Sequence, residues 1–267
     1  MRIPIRAGGD GSLGFLLIVG ALWLFFGVNP LALLGLADDG GGQQTVSRGP
    51  GVSQTADETD DFIATVLADT EDVWNRRFEA AGSTYVEPTL VLFSGTTQSG
   101  CGFAGSASGP FYCPVDQQIY IDLTFFEQLA RQLNSPGDFA QAYVVAHEVG
   151  HHVQNLTGVL SRTQSLRQQP PAAEANRVSV LTELQADCYA GVWAHDVYDA
   201  GFLEAGDIDE AMNAAEQIGD DTLQRRQQGT VVPDSFTHGS SAQRQEWFNR
   251  GYESGDTNSC DTFEGAL

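Results

Sequence analysis

The 267-residue chain contains no lysine. Its 13 basic residues are all arginine and stand against 35 Asp and Glu, for a formal charge of −22 and a pI of about 4.2. So acidic a surface repels phosphate polymers, which excludes nucleic acid as a partner. The imbalance fits a salt-adapted or high-GC background and concerns solvation rather than mechanism. Cysteine is sparse too. The four cysteines include no C-x-x-C pair, which argues against a structural zinc site. An even number outside the cytoplasm suggests two disulfides. Of the three possible pairings, Cys101 with Cys113 and Cys188 with Cys260 is the most economical. The first would staple a loop between strands, and the second would tie the tail to a core helix.

Only one stretch, Leu13 to Leu36, is apolar for long enough to cross a bilayer, broken only by Gly, Asn29 and Pro30. Arg2 and Arg6 precede it and Asp38-Asp39 follow, so the positive-inside rule leaves the amino end in the cytoplasm. Gly35 to Ala37 offers small residues for cleavage, but the run exceeds the usual signal-peptide core, which favours an uncleaved anchor. The expected organisation is a short cytoplasmic lead (1–12), a transmembrane anchor (13–36), a flexible Gly/Gln/Ser/Thr-rich linker (37–57) and a folded domain (58–267). The protein is then a single-pass membrane protein with its domain outside the cytoplasm.

Within the domain, Phe62, Val66, Val73, Trp74 and Phe78 recur at helical spacing up to Gly82. Thr89 to Phe93 and Gln118 to Asp122 read as strands, separated by a Gly/Ser-rich stretch from Ser99 to Gly109. Leu123 to Leu133 reads as a helix, as does Asp207 to Gln228. Ser241 to Gly255 forms a last helix with Trp247, Phe248 and Tyr252 as core. The loop from Thr230 to Ser240 lies between these two.

Histidine is scarce, with five in the chain, and three fall in Ala146-His147-Glu148-Val149-Gly150-His151-His152. Residues four apart share a helix face, so His147 and His151 can present two imidazoles to one metal ion, with Glu148 beside it as a base. Phe139, Ala142, Tyr143, Val145, Val149 and Val153 support the helix, and Asp138 is its expected N-cap. Gly150 is a poor helix former and needs a reason, such as a close backbone approach. One step along a helix turns His152 about 100° away from the pair. His195 lies near a helix end and reads as structural.

A catalytic zinc usually has three protein ligands and an open position. A second long helix, starting near Ala175, carries Glu183 and Asp187 four apart. Glu183 is the candidate third ligand. Asp187 would accept a hydrogen bond from a ligand histidine and fix its tautomer.

H-E-x-x-H followed by E-x-x-x-D resembles the gluzincin metallopeptidases. More narrowly, the span from about Asp61 to Phe263 resembles the bacterial putative neutral zinc metallopeptidase family. The similarity rests on Tyr120-Ile121-Asp122-Leu123, on Ala146 to Gln154, on Glu183 to Gly191 and on Ile218-Gly219-Asp220-Asp221. Phe236 to Arg244, Trp247-Phe248 and Cys260 to Phe263 extend it. The resemblance implies a zincin fold and peptidase activity and leaves the substrate open.

The expected fold is α+β: mostly helical, zincin-like, with a small antiparallel sheet beside the active-site helix. The expected function is a membrane-anchored, zinc-dependent endopeptidase with one Zn2+ per chain and peptide or protein substrates. Glu148 would act as general base, with His147, His151 and Glu183 as ligands. His238, Arg244 or Tyr252 could supply a donor to the oxyanion, and His238 is the best placed by type. An edge strand between Gly102 and Tyr112 would pair with an extended peptide. The alternatives are a catalytically silent, membrane-tethered binding protein, or a zinc hydrolase of a non-peptide substrate.

Overall fold

Strand formation here follows from runs that bury both faces. The computed structural model describes residues 46–48, 58–105, 108–168 and 171–264. Thr89–Phe93 (β2) sends Leu90 and Leu92 into the main core, while Val91 and Phe93 join a smaller cluster on the other side. Gln118–Asp122 (β6) does the same, with Ile119 and Ile121 against the main core and Tyr120 opposite. With Val46–Arg48 (β1) and Phe111–Cys113 (β5) they form a four-stranded sheet in the order β1-β2-β6-β5. Thr96–Ser99 (β3) and Gly102–Gly105 (β4) pair separately as a hairpin.

The sheet is mixed, where an antiparallel one was expected. β2 and β6 run parallel, Leu90 opposite Ile119, while β1 and β5 are antiparallel to their neighbours. The reason lies in the connection. The chain leaves β2 through the β3–β4 hairpin and β5 before returning as β6, and strands buried on both faces suit parallel pairing. The peptide-binding edge expected over 102–112 is likewise divided. β4 belongs to the hairpin, and among the described residues β5 alone forms that border of the sheet.

The helices follow in order. Glu58–Ala80 (α1) packs Trp74 edge-on against Phe78 and Tyr189. Leu123–Arg131 (α2) begins where Asp122 caps Thr124. Asp138–Leu156 (α3) is buried on almost every side, as a helix with apolar residues all round must be. Its N-cap is Gly137 and not the expected Asp138, which is already the first helical residue. The orphan amide of Phe139 donates instead to Glu210, 3.1 Å away. Val159–Arg167 (α4), Ala172–Asp199 (α5), Asp207–Gln217 (α6), Asp220–Gln228 (α7) and Ser241–Ser254 (α8) complete the described helices. The helix expected from Asp207 to Gln228 is thus two, broken at Ile218-Gly219.

Helix approach explains three glycine positions at two crossings. A Cβ on Gly150 would lie 2.9 Å from the Ala186 carbonyl oxygen, so this glycine lets α3 close onto α5. Gly191 and Gly251 face the backbones of Phe248 and Cys188 across the α5–α8 crossing, where any side chain would collide. Both contacts bear on the site described below.

The anchor, the lead and most of the linker expected before residue 58 lie outside the described residues. Among the described residues no helix is long and apolar enough to cross a membrane. Both expected disulfides are present, Cys101–Cys113 and Cys188–Cys260. Their sequence separations of 12 and 72 imply unequal loop-closure contributions, about 3 and about 4 kcal/mol in the chain-entropy treatment. Urea unfolding of the full chain should therefore show a larger loss for Cys188→Ala/Cys260→Ala than for Cys101→Ala/Cys113→Ala. The opposite ranking would show that native strain, not loop length, governs these links.

Candidate metal centre

His147 and His151 project from one face of α3, and Glu183 reaches them from α5. Glu183 Oε2 lies 3.2 Å from His147 Nε2 and 3.4 Å from His151 Nε2. Atoms ~2.0–2.1 Å from a tetrahedral zinc ion sit about 3.3–3.4 Å apart, close to both Glu183 distances, and all three ligand atoms lie within 4.8 Å of one another, near enough to hold one ion. Both imidazoles engage their Nδ1 atoms elsewhere, His147 on Asp187 at 2.7 Å and His151 on Gln154 at 2.9 Å. Each Nε2 is thereby turned inward as the lone-pair donor a metal requires. The closeness of α3 and α5 at Gly150 and Ala186 makes this reach possible, because Glu183 and Asp187 flank Ala186.

Asp187 is fully buried and satisfied on both oxygens. Oδ1 accepts from Tyr143 Oη at 2.6 Å, from His147 Nδ1 and from Arg244 Nη2 at 2.8 Å. Oδ2 accepts from Arg244 Nε at 2.8 Å. Burial would raise its carboxyl, but Arg244 and His147 outweigh it and hold the pKa at about 2. Burial likewise acts to lower the His147 imidazole, yet Asp187 and Glu183 lift it to about 9. Glu183 is held well below the carboxylate range by His151, His238 and His147 against its own desolvation.

His147, His151 and Glu183 line a cleft of about 1000 Å3 that also contains Glu148, His238 and the β5 residues Phe111 and Tyr112, while Asp187 lies behind it. Burial raises the Glu148 carboxyl above its ordinary value, opposed by His151 and His147. A group so poised beside two imidazoles is suited to take up a proton. His238 is half-exposed, and its Nδ1 meets Thr237 Oγ1 at 3.0 Å and Asp220 Oδ1 at 3.4 Å, which leaves Nε2 for the cleft. Desolvation in the cleft acts to lower the His238 imidazole, and Glu183 and Asp220 outweigh it, so its pKa is raised.

Of the other oxyanion candidates, neither faces the cleft freely. Arg244 is buried and committed to Asp187 and Tyr143. Tyr252 packs on His195 and Tyr198, and its carbonyl accepts from His195 Nδ1 at 2.7 Å. His152 turns away as expected: its Nε2 donates to Val86 O, and its Nδ1 meets Tyr112 Oη at 3.0 Å. Burial lowers its pKa.

Sequence reasoning gave no role to Tyr143, Gln154 or Asp220. Tyr143 reads as part of the apolar face of its helix, and its hydroxyl announces nothing until a buried carboxylate meets it. Asp220 holds the His238 loop by accepting from the amides of Thr237, His238 and Gly239 at 2.7, 2.7 and 3.0 Å. Asp221 does the same for Ser241 at the start of α8. The adjacent acids after Gly219 were the visible signal. Among the described residues a second acidic group, Asp138, Asp207 and Glu210, could hold a cation, but it is partly exposed and Glu210 already caps α3.

The chain is similar to known proteins. The family model described as putative neutral zinc metallopeptidase matches residues 3–263. The chain is 48% identical over 262 residues to the uncharacterized protein YpfJ of Escherichia coli, covering 98% of this chain and 88% of that one. It is 50% identical over 193 residues to an uncharacterized protein of Mycobacterium tuberculosis, covering 68% of this chain and 64% of that one. No solved structure matches.

The two acids on α5 should separate experimentally. Glu183→Gln replaces an anionic oxygen among the three converging atoms and should sharply weaken zinc binding. Asp187→Asn should keep zinc with affinity reduced about 10–100-fold. It should also cost about 3–5 kcal/mol of stability, because Arg244 is left buried without its anion. Zinc titration and urea unfolding of the two variants check this. Metal stripped by Asp187→Asn and retained by Glu183→Gln would reverse the assignment.

Proposed function

We propose that this chain, which belongs to the putative neutral zinc metallopeptidase family, hydrolyses peptide bonds as a zinc-dependent endopeptidase. His147, His151 and Glu183 are the ligands in this reading, and Glu148 is the general base. The observation that carries it is the convergence of three ligand atoms within one open cleft that also contains a carboxylate raised by burial.

Zinc held there, one ion per chain, supplies a Lewis acid and lowers the pKa of a coordinated water towards ~7. Glu148 takes the proton of the attacking water and passes it to the leaving amine, which is expelled as the C–N bond breaks. His238, held by Asp220 and Thr237, donates from Nε2 to the developing oxyanion. Asp187 keeps the His147 proton on Nδ1 throughout, with Arg244 balancing its charge. The outer border of β5, which carries no further strand among the described residues, offers backbone groups to an extended substrate, which fixes the peptide bond over the ligands. Tyr112 on that strand is pinned from below by His152 and by Asn155, whose amide donates to its hydroxyl at 2.9 Å.

The same proposal keeps the domain outside the cytoplasm on an anchor at residues 13–36. Two disulfides in a chain with no free cysteine support it, since such links persist in oxidising compartments. Protease added to intact cells should then remove the domain. A domain shielded together with a cytoplasmic marker would place it inside.

Digestion of a peptide library by zinc-loaded full chain, with zinc quantified in parallel, tests the activity. Glu148→Gln should retain full zinc and lose about 10²–10⁴-fold in turnover. His238→Phe should lose about 10²–10³-fold in kcat with zinc still bound. Zinc-loaded protein that cleaves no peptide, or Glu148→Gln that cleaves as well as wild type, would defeat the proposal.

A further inference from the structure

His151 carries its outer hydrogen bond differently from His147. Where His147 meets an ionised carboxylate, His151 Nδ1 meets the neutral amide oxygen of Gln154 on the same helix, at 2.9 Å. The orientation of that amide is dictated by its nitrogen. Gln154 Nε2 donates to Thr182 O at 2.7 Å and to Gln185 Oε1 at 3.1 Å, both on α5. Turning it round would set its oxygen against two other oxygens. Gln185 is oriented in the same way, because its Nε2 donates to the carbonyl of Cys260 at 3.0 Å. Cys260 is bonded to Cys188, three residues beyond Gln185 on α5. Thr262 Oγ1 adds a second attachment of the tail to α5, at Leu181 O, 2.6 Å.

Every bond in this series runs donor to acceptor away from His151: to Gln154, to Gln185, to the Cys260 carbonyl. Gln154, Gln185, Thr182 and both cysteines are buried, so water does not compete for these groups. A reversed series would require Nδ1 to accept, which moves the imidazole proton to Nε2, the atom that faces Glu183. The polarity of the series therefore selects one tautomer of His151.

We propose that Gln154 and Gln185 are positioning residues for the metal, forming a directional amide relay that the Cys188–Cys260 disulfide anchors through the Cys260 carbonyl. This inference rests on His151 being a zinc ligand, as proposed above. It assigns the carboxyl tail a task at the site beyond closing a loop: without the link, the Cys260 carbonyl can leave Gln185, whose amide is then free to turn and to release Gln154. The two histidines are thus held by unlike devices. One is charged and draws on α8; the other is neutral and draws on the tail.

Zinc affinity of the full chain, measured by competition with a chromogenic chelator, tests the relay. Gln154→Leu should weaken binding about 10–100-fold, the range usual for an outer partner of a ligand. Gln185→Leu touches no ligand, yet should weaken it about 3–10-fold and shift the visible absorption bands of the cobalt-substituted protein. The double variant should be no weaker than Gln154→Leu alone, since a relay cut once cannot be cut again. Cys188→Ala/Cys260→Ala should match Gln185→Leu; if it does not fold, Gln185→Leu decides. Val192→Ala, a core truncation on α5, should lower the thermal midpoint and leave zinc affinity unchanged. Gln154→Leu with wild-type affinity, losses that multiply in the double variant, or an equal loss in Val192→Ala would each overturn the relay. Wild-type protein that takes up no zinc would instead overturn the ligand assignment, and the relay with it.

Discussion

One buried carboxylate, Asp187, joins the three helices that make the site. It accepts from Tyr143 and His147 on α3 and from Arg244 on α8, and it stands on α5 itself. Its charge is balanced by a guanidinium that is equally buried. Such a pair contributes little net stability, because desolvation of both partners offsets their attraction, but removing either partner is costly. What it supplies is a fixed arrangement: one rotation of α3 and one depth of α8 satisfy all four hydrogen bonds. The glycines at the α3–α5 and α5–α8 crossings are the steric counterpart of this constraint, since the side chains meet only if the backbones approach this closely.

The electrostatics of the centre follow from that balance. With Asp187 and Arg244 cancelling, Glu183 is the one anion left among the three converging groups, and a divalent ion there keeps a net positive charge. In the proposed reaction that residual charge would activate water and steady an oxyanion. A second uncompensated carboxylate beside His151 would diminish it, and the outer partner of His151 is a neutral amide instead.

Much of the centre was legible in the sequence because its signals are local. His147 and His151 share a face through helical period alone, and Glu183 with Asp187 repeats the argument on α5. The disulfides followed from an even count and short reasoning about loops. What could not be read depends on contacts between distant segments. Arg244 looked available for the oxyanion because nothing in its neighbourhood reveals that Asp187 lies against it. Tyr143 read as apolar for the same reason. Strand direction is not legible because it depends on how the hairpin and β5 return the chain to β6, and the break at Ile218-Gly219 because no proline marks it. Asp138 had the right residue type for a cap, but it is already the first helical residue, and the orphan amide of Phe139 is taken by Glu210, 71 residues further on.

The central claim is that two imidazoles from α3 and one carboxylate from α5 share a single zinc ion. X-ray absorption at the zinc edge on the full-chain protein loaded with one equivalent of metal addresses it most directly. The account predicts only nitrogen and oxygen neighbours at ~2.0–2.2 Å, with the outer-shell scattering of two imidazole rings. A spectrum without paired imidazole scattering, or with sulfur at ~2.3 Å, would contradict it.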